Sequence, residues 1–175
     1  AFEAGKFEDA RSAFLQAYAL KRVPAVLLNR GQSEIKSGHY EDGGNHLQQF
    51  IRDHKTATPD QITAAQNGIA DAKKKTGFLV VIVNAVGADL SVDGVAIGKS
   101  PLLDPYFIKP GKHVVYASYQ GAAGTTAVDV QKGVTPELVA GNVEGVRHVL
   151  TAVRAAGAPR LVHVSSVVAV GLPTE

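Results

Sequence analysis

Apolar residues at the start of the chain recur at helical spacing. Phe7, Ala10, Phe14 and Ala17 follow one another at intervals of three or four residues, which places them on one face of a helix. Pro24 comes next, and because proline disfavours the interior of a helix, it marks the passage to a second helix. The pattern predicts two helices joined by a short turn.

The same pattern then occurs a second time. Residues 5–10 (Gly-Lys-Phe-Glu-Asp-Ala) align with residues 38–43 (Gly-His-Tyr-Glu-Asp-Gly), and Phe14 then aligns with Leu47. Both copies carry an apolar stripe on the helix that follows a glycine-x-aromatic turn. The offset is close to the roughly 34-residue period of helix-turn-helix repeats. The sequence therefore predicts a short array of helical hairpins.

A further helix is predicted from Pro59 to Lys75. Thr58 can cap its amino terminus, Pro59 suits its first turn, and Gly77 lies just beyond its end. The lysines at its carboxyl end complement the helix dipole. We expect this helix to close the repeat array.

At Gly77 the pattern changes from helical spacing to strands. Residues 78–83 form a continuous apolar, mostly β-branched run, which predicts a buried strand. Asp93-Gly94 stands between two short apolar alternations and favours a type I′ hairpin turn. Residues 113–119 and 125–131 supply two more strand-like stretches. These features predict a small, mostly antiparallel β-domain.

The tail after Gly133 has a different composition, since it contains neither lysine nor an aromatic residue. Residues 142–156 predict an amphipathic helix, and residues 161–170 predict one strand. These two elements are half of a βαβ unit. We expect the strand to be covered by its own helix or by the β-domain, and we expect the tail to contribute no essential stability.

The fold class predicted for the whole chain is α+β in three segments. Residues 1–76 form helical repeats with a capping helix, residues 77–133 form a small antiparallel β-sandwich, and residues 134–175 form a helix-strand segment.

Composition and charge exclude several classes of function. The 175-residue chain has a net charge of +2, which is no electrostatic footprint for nucleic acid. It has no cysteine, so disulfides, thiolate metal sites and a cysteine nucleophile are excluded. Its longest apolar run is far shorter than the ~20 residues that span a bilayer. The sequence contains no methionine, so a leader removed by processing is compatible with it.

Two family resemblances cover residues 1 to about 133. The repeated glycine-x-aromatic pattern resembles tetratricopeptide repeats. Residues 85–88 (Ala-Val-Gly-Ala), 92–94 (Val-Asp-Gly), 97–101 (Ile-Gly-Lys-Ser-Pro) and 109–115 (Lys-Pro-Gly-Lys-His-Val-Val) resemble a PEGA domain. Only Gly87 and Ala88 of the tetrapeptide that names that family are present.

The resemblances imply a non-enzymatic scaffold of the bacterial cell envelope, located in the periplasm or associated with the envelope. Asn29, Gln32 and Lys36 share the helix face that lines the groove of tetratricopeptide repeats, so they are the predicted partner-binding residues. Amide and ammonium groups there suit a peptide backbone or a carboxylate of a protein partner. No cofactor and no metal are expected, and the sequence leaves the oligomeric state open.

The tail supports an alternative function. Residues 142–150 and 160–166 resemble a piece of an extended short-chain dehydrogenase or NAD-dependent epimerase. By that resemblance Ser166 occupies the position of the catalytic serine and Asn142 lies near the active-site asparagine. NAD is a cofactor only under this alternative. The chain contains no Tyr-x-x-x-Lys after Ser166 and no complete dinucleotide loop before it.

Other motifs favour structural roles. Gly98-Lys99-Ser100 ends like a phosphate-binding loop, but the first glycine of that motif is absent, and a turn is favoured. Residues 121–124 (Gly-Ala-Ala-Gly) resemble a weak dinucleotide fingerprint, and a β-turn is favoured because the following residues alternate like a strand. The six histidines are scattered, so we expect solvated surface side chains rather than a zinc site.

Overall fold

The structure is a computed structural model that describes residue 2 and residues 5–133, 162–164 and 167–170. The chain divides into two compact units, Ala1–Thr76 and Gly77–Glu175. The described part of the first unit is helical, and that of the second is formed by strands. The α+β class predicted from the sequence is confirmed.

The first unit, called the helical unit below, contains four helices in its described part. They are α1 (Phe7–Leu20), α2 (Pro24–Lys36), α3 (Tyr40–Asp53) and α4 (Pro59–Lys75). Helix α4 has the predicted bounds, and Thr58 forms a capping box with Gln61: the Gln61 backbone N–H donates to Thr58 Oγ1, and the Thr58 backbone N–H donates to Gln61 Oε1. These two hydrogen bonds satisfy N–H groups that would otherwise have no partner at the start of a helix.

Close packing in the helical unit centres on Leu47 of α3. This side chain is fully buried, and it lies against Gly31 of α2 and Gly68 of α4. A Cβ atom at Gly31 would come within 2.6 Å of Leu47 Cγ, a distance that side chains do not tolerate. The two glycines therefore let three helix backbones approach one large side chain.

The second unit, called the β unit, contains two four-stranded sheets in its described part. Their strands are β1 (Gly77–Val83), β2 (Asp89–Val92), β3 (Val95–Lys99), β4 (Tyr106–Ile108), β5 (Gly111–Tyr119), β6 (Ala122–Val130), β7 (Val162–Val164) and β8 (Val167–Val170). One sheet has the order β4-β1-β8-β7 and the other β3-β2-β5-β6. All neighbours are antiparallel except β1 and β8, which are parallel.

The core of the β unit combines alternating residues of β1 with those of the second sheet. Its fully or nearly fully buried members are Leu79, Val81, Ala88, Leu90, Val92, Val115, Ala117, Val128 and Val130. The period of two along β2, β5 and β6 places every second side chain in this core and leaves the intervening ones outside. Side chains on one face of β1, β2, β5 and β6 thus form a core that the two sheets share.

The hairpin predicted at Asp93-Gly94 is confirmed. Val92 pairs with Val95, and both turn residues have positive φ, +51° at Asp93 and +80° at Gly94, as a type I′ turn requires. The second hairpin turn lies two residues earlier than the β-turn expected at residues 121–124, because Tyr119 pairs with Ala122. Gln120 and Gly121 form it with positive φ, whereas Gly124 is inside β6 and pairs with Ala117 of β5.

The prediction of one strand over residues 161–170 is wrong. Two strands, β7 and β8, occupy this stretch and pair with each other in antiparallel fashion. Strand β8 also pairs along Val80–Val83 of β1, so it is an internal strand of its sheet. Removing β8 would leave an edge of β1 unpaired, and the expectation that the tail adds no essential stability stays a prediction. The predicted helix at 142–156 lies outside the described residues.

Candidate functional site

The three predicted binding residues lie on the outer face of α2. Asn29 and Lys36 are exposed and Gln32 is half-buried, whereas Leu27 and Ile35 on the opposite side of the helix are buried. No side chain in the described part of the chain forms a hydrogen bond or ion pair with the side chains of these three residues. Their amide and ammonium groups are therefore available to a ligand.

A shallow, largely open cleft of about 660 Å³ lies at one end of this face. It is lined by Gly5, Lys6, Phe7, Glu8, Asp9, Lys36 and Ser37. Lys36 thus faces the first turn of α1, where the Lys6 cap position provides no side-chain hydrogen bond to the helix N–H groups. Asn29 and Gln32 do not line the cleft, so the structure brings only one of the three predicted residues to it.

A buried ion-pair cluster lies in the same helical unit. Arg30 Nε donates to Glu34 Oε1 at 2.9 Å, and His46 Nδ1 lies 2.7 Å from Glu34 Oε2. The Glu34 side chain is fully buried, while those of Arg30 and His46 are 15% and 20% exposed. The guanidinium of Arg30 also lies 6.0 Å from the centre of the Tyr18 ring. The cluster joins α2 to α3 and to α1.

The sequence analysis missed this cluster. Glu34 and His46 are twelve positions apart, and only the helical hairpin brings them together. The expectation of solvated histidines is wrong for His46 and also for His113, which is 13% exposed. A signal was present in the repeat pattern, because Glu34 stands in the apolar-periodic part of α2, where a charge must find partners.

A second, exposed cluster joins the two glycine-x-aromatic turns. Arg11 donates two hydrogen bonds to Glu8 Oε1, and His39 Nε2 lies 3.3 Å from Glu8 Oε2. The hydrogen bond from Arg11 lowers the pKa of Glu8, and the same contact raises the pKa of Arg11. Glu8 belongs to the first copy of the repeat and His39 to the second, so this contact links the copies.

In the β unit, a histidine and an aspartate lock the first hairpin to β5. His113 Nδ1 lies 2.6 Å from Asp93 Oδ2, and His113 Nε2 lies 2.8 Å from the Lys109 carbonyl oxygen. The Val114 backbone N–H donates to Asp93 Oδ1 at 2.8 Å. The hydrogen bond with His113, followed by that from Val114, lowers the pKa of Asp93. These bonds have a structural effect: they fix the turn.

The glycine-lysine-serine motif is engaged within the β unit. Lys99 Nζ lies 2.5 Å from Asp89 Oδ1, and Ser100 Oγ accepts a hydrogen bond from the Ala88 N–H and donates one to the Ala85 carbonyl. Gly98 and Lys99 are the last two residues of strand β3 and do not open a helix. The hydrogen bonds of Ser100 therefore tie the end of β3 to the segment before β2, and the loop does not have the geometry of a phosphate-binding loop.

The residues of the dehydrogenase alternative, Asn142 and Ser166, lie outside the described residues. Among the residues that the structure does describe, no group of three histidine, cysteine or acidic side chains could hold a metal ion. No helix in the same part of the chain has the length and apolar character needed to cross a membrane.

No protein-family model, curated protein or solved structure matches the chain.

Proposed function

We propose that the chain is a non-enzymatic binding scaffold of the bacterial cell envelope. In this proposal the helical unit is a tetratricopeptide-like array that holds a peptide or protein partner, and the β unit is a PEGA-like module that serves as a rigid spacer. The envelope location rests on the sequence resemblances alone. The observation that carries the binding function is the set of unengaged polar side chains on one face of α2, Asn29, Gln32 and Lys36.

The packing of the helices supports this assignment. Each helix packs on the next along the chain, and α2 also packs on α4. Stacked helical hairpins have this neighbour pattern, and they bind partners along the surface of the helices that lie side by side. Helix α2 packs against the three other helices, and its Asn29 and Lys36 side chains are nevertheless exposed.

The charged residues at the end of this face are two lysines and two acids, and in this proposal the lysines hold a carboxylate of the partner. Lys36 and Lys6 both line the cleft at the start of α1, where helix N–H groups carry partial positive charge. Glu8 and Asp9 line it too, and Glu8 is engaged by Arg11 and His39. An extended peptide could place its backbone on Asn29 and Gln32 and an acidic group near Lys36.

The test uses the full chain as bait for affinity capture from an envelope extract, beside a variant with Asn29→Ala, Gln32→Ala and Lys36→Ala. Each lost hydrogen bond is worth roughly 0.5–1.5 kcal/mol, and more for a charged group, so a specific partner should bind the variant at least about tenfold more weakly. Binding of the recovered peptide is then measured by calorimetry. Circular dichroism checks that the variant is folded.

The matched control removes the same three side-chain types elsewhere on the helical unit, at the exposed positions Gln16, Asn67 and Lys75. This control should retain the partner with unchanged affinity. A partner that binds both triple variants and the parent chain equally would show that the α2 face is not the binding surface.

A further inference from the structure

Strand β6 is the longest sheet edge in the described part of the chain. It has nine residues, Ala122–Val130, and it ends the sheet order β3-β2-β5-β6. Strand β5 pairs with one side of β6 over its whole length, and no described strand pairs with the other side. Such an edge presents a row of backbone N–H and C=O groups to any chain that can add a strand.

The register shows which backbone groups face outward. Tyr119 and Ala122 close the two-residue turn, and the closing pair of such a hairpin exchanges both of its hydrogen bonds. Bonded pairs then alternate along the ladder, so the even-numbered residues of β6 bond to β5. The backbone groups that point away from β5 belong to Ala123, Thr125, Ala127 and Asp129. All four residues are exposed.

The opposite edge of the same sheet is protected in a way that β6 is not. Strand β3 has only five residues, its pairing with β2 shifts between Leu90 and Ser91, and it ends at Lys99, two residues before Pro101. Short length, an irregular register, lysine and proline all discourage strand addition. Strand β6 is long and regular, and Asp129 is its only charge.

We propose that β6 pairs with β6 of a second copy of this chain, in antiparallel fashion about a two-fold axis at Thr126. In this register Ala123 lies opposite Asp129 of the second copy, and Thr125 lies opposite Ala127 of the second copy. Every outward residue of one copy then meets an outward residue of the other, and each such pair exchanges two backbone hydrogen bonds. Any other two-fold register leaves some of these groups unpaired.

Charge and side-chain size favour the same register. Asp129 faces alanine across the interface, so the two aspartates of the dimer are not opposite each other. On its other side Asp129 is the cross-strand neighbour of Lys112 of its own copy. The outer face next to β6 carries Val114 and Tyr116, which are 50% and 43% exposed. Pairing two copies would join these residues into one apolar strip across an eight-stranded sheet, with the small residues of β6 in the middle.

The first experiment measures the mass of the full chain by sedimentation equilibrium over a range of concentrations. The parent chain should show a reversible monomer-dimer equilibrium. Thr125→Pro should weaken dimerisation at least about tenfold, because it removes an outward N–H at two symmetry-related places and no backbone hydrogen bond to β5. Thr125→Val is the control. It keeps the N–H and, like the proline variant, lacks the Thr125 hydroxyl bond to the Val115 carbonyl, so it should dimerise normally.

A charge pair tests the register itself. Ala123→Lys would place a lysine opposite Asp129 of the second copy, and Ala123→Glu would place a like charge there. Within the monomer the cross-strand neighbour of residue 123 is the uncharged Ser118. Because each contact occurs twice in the dimer, lysine should tighten dimerisation by about two- to thirty-fold and glutamate should weaken it by a similar factor.

Three results would overturn the proposal. The first is a chain that stays monomeric up to its solubility limit. The second is a dimer whose affinity is the same in the proline variant and in both charge variants, which would place the interface elsewhere. The third is strong, concentration-independent protection of the Ala123, Thr125 and Ala127 amides from hydrogen exchange, which would show that the chain itself covers this edge. A weaker proline variant with opposite shifts for lysine and glutamate would establish it.

Discussion

Each unit of the chain contains a histidine hydrogen-bonded to a carboxylate, and the two pairs differ in burial rather than in length. His46 Nδ1 lies 2.7 Å from Glu34 Oε2 in the helical unit, and His113 Nδ1 lies 2.6 Å from Asp93 Oδ2 in the β unit. The Glu34 side chain has no exposed surface, whereas that of Asp93 is 47% exposed. Water therefore reaches and screens the Asp93 carboxylate, whereas the Glu34 carboxylate is shielded from water.

The comparison shows that the length of a hydrogen bond does not by itself determine how much the bond contributes to the free energy of unfolding. Glu34 gave up its hydration on folding, so its two partners must supply all the compensation, and losing one would leave a buried charge half-satisfied. Asp93 keeps contact with water, and its bonds to His113 and to the Val114 N–H mainly set the geometry of a turn. We therefore expect the Glu34–His46 pair to affect mainly the free energy of unfolding, and the Asp93–His113 pair to affect mainly the geometry of the turn.

The largest expected effect comes from removing Arg30, the second partner of the buried Glu34 carboxylate. Arg30→Met keeps much of the side-chain volume but removes the guanidinium from Glu34, and removal of one partner of a buried pair costs about 3–5 kcal/mol. The free energy of unfolding, measured by urea denaturation with far-ultraviolet circular dichroism, should fall by that amount. Arg11→Met is the matched control, because its partner Glu8 is exposed, and it should change stability far less. Equal losses in the two variants would contradict the distinction by burial.

A smaller effect is expected from the turn that holds Asp93. Gly94→Val should lower the free energy of unfolding of the β unit by about 1–3 kcal/mol, because a β-branched residue is strained at a φ of +80°. Space is not the cause, since nothing lies within 4 Å of a Cβ atom at this position. Gly94→Asn separates the two explanations: asparagine tolerates positive φ and should cost clearly less than valine. A thermal unfolding transition unchanged by valine would contradict the turn geometry.

The sequence predicted the elements that local rules determine. Helix α4 could be predicted to the residue because capping threonine, first-turn proline and following glycine stand at its two ends. The hairpin at Asp93-Gly94 could be predicted because positive φ has a strong preference for those residues. The Asn29, Gln32 and Lys36 face was expected from helical spacing; Asn29 and Lys36 are exposed and Gln32 is half-buried, and a binding role for these residues stays a prediction.

The remaining features depend on contacts that are distant in sequence. The Glu34–His46 pair requires the packing of α2 on α3, and the close approach at Leu47 requires glycines from two other helices. The division of residues 161–170 into two strands could not be predicted from apolarity, because a continuous apolar run has the same pattern whether it forms one strand or two. The pairing of β8 with β1 distinguishes the two possibilities, and β1 lies at the other end of the β unit in the sequence.

The smallest expected effect is a dependence of stability on pH that belongs to the exposed pair. The hydrogen bond with His113 lowers the pKa of Asp93 below its value in the unfolded chain. The stabilisation is therefore fully present above the unfolded pKa, near pH 4, and is lost as the pH falls through the lower folded pKa.

In Asp93→Asn this contribution is absent at every pH. The difference in free energy of unfolding between the parent chain and Asp93→Asn should be constant from about pH 5 to neutral conditions on account of Asp93, and it should shrink below about pH 4. Asp89→Asn is the control, because it removes a carboxylate of the same sheet whose partner, Lys99, is exposed. A difference for Asp93→Asn that grows as the pH falls below 4 would mean that the carboxylate destabilises the turn, contrary to the geometry.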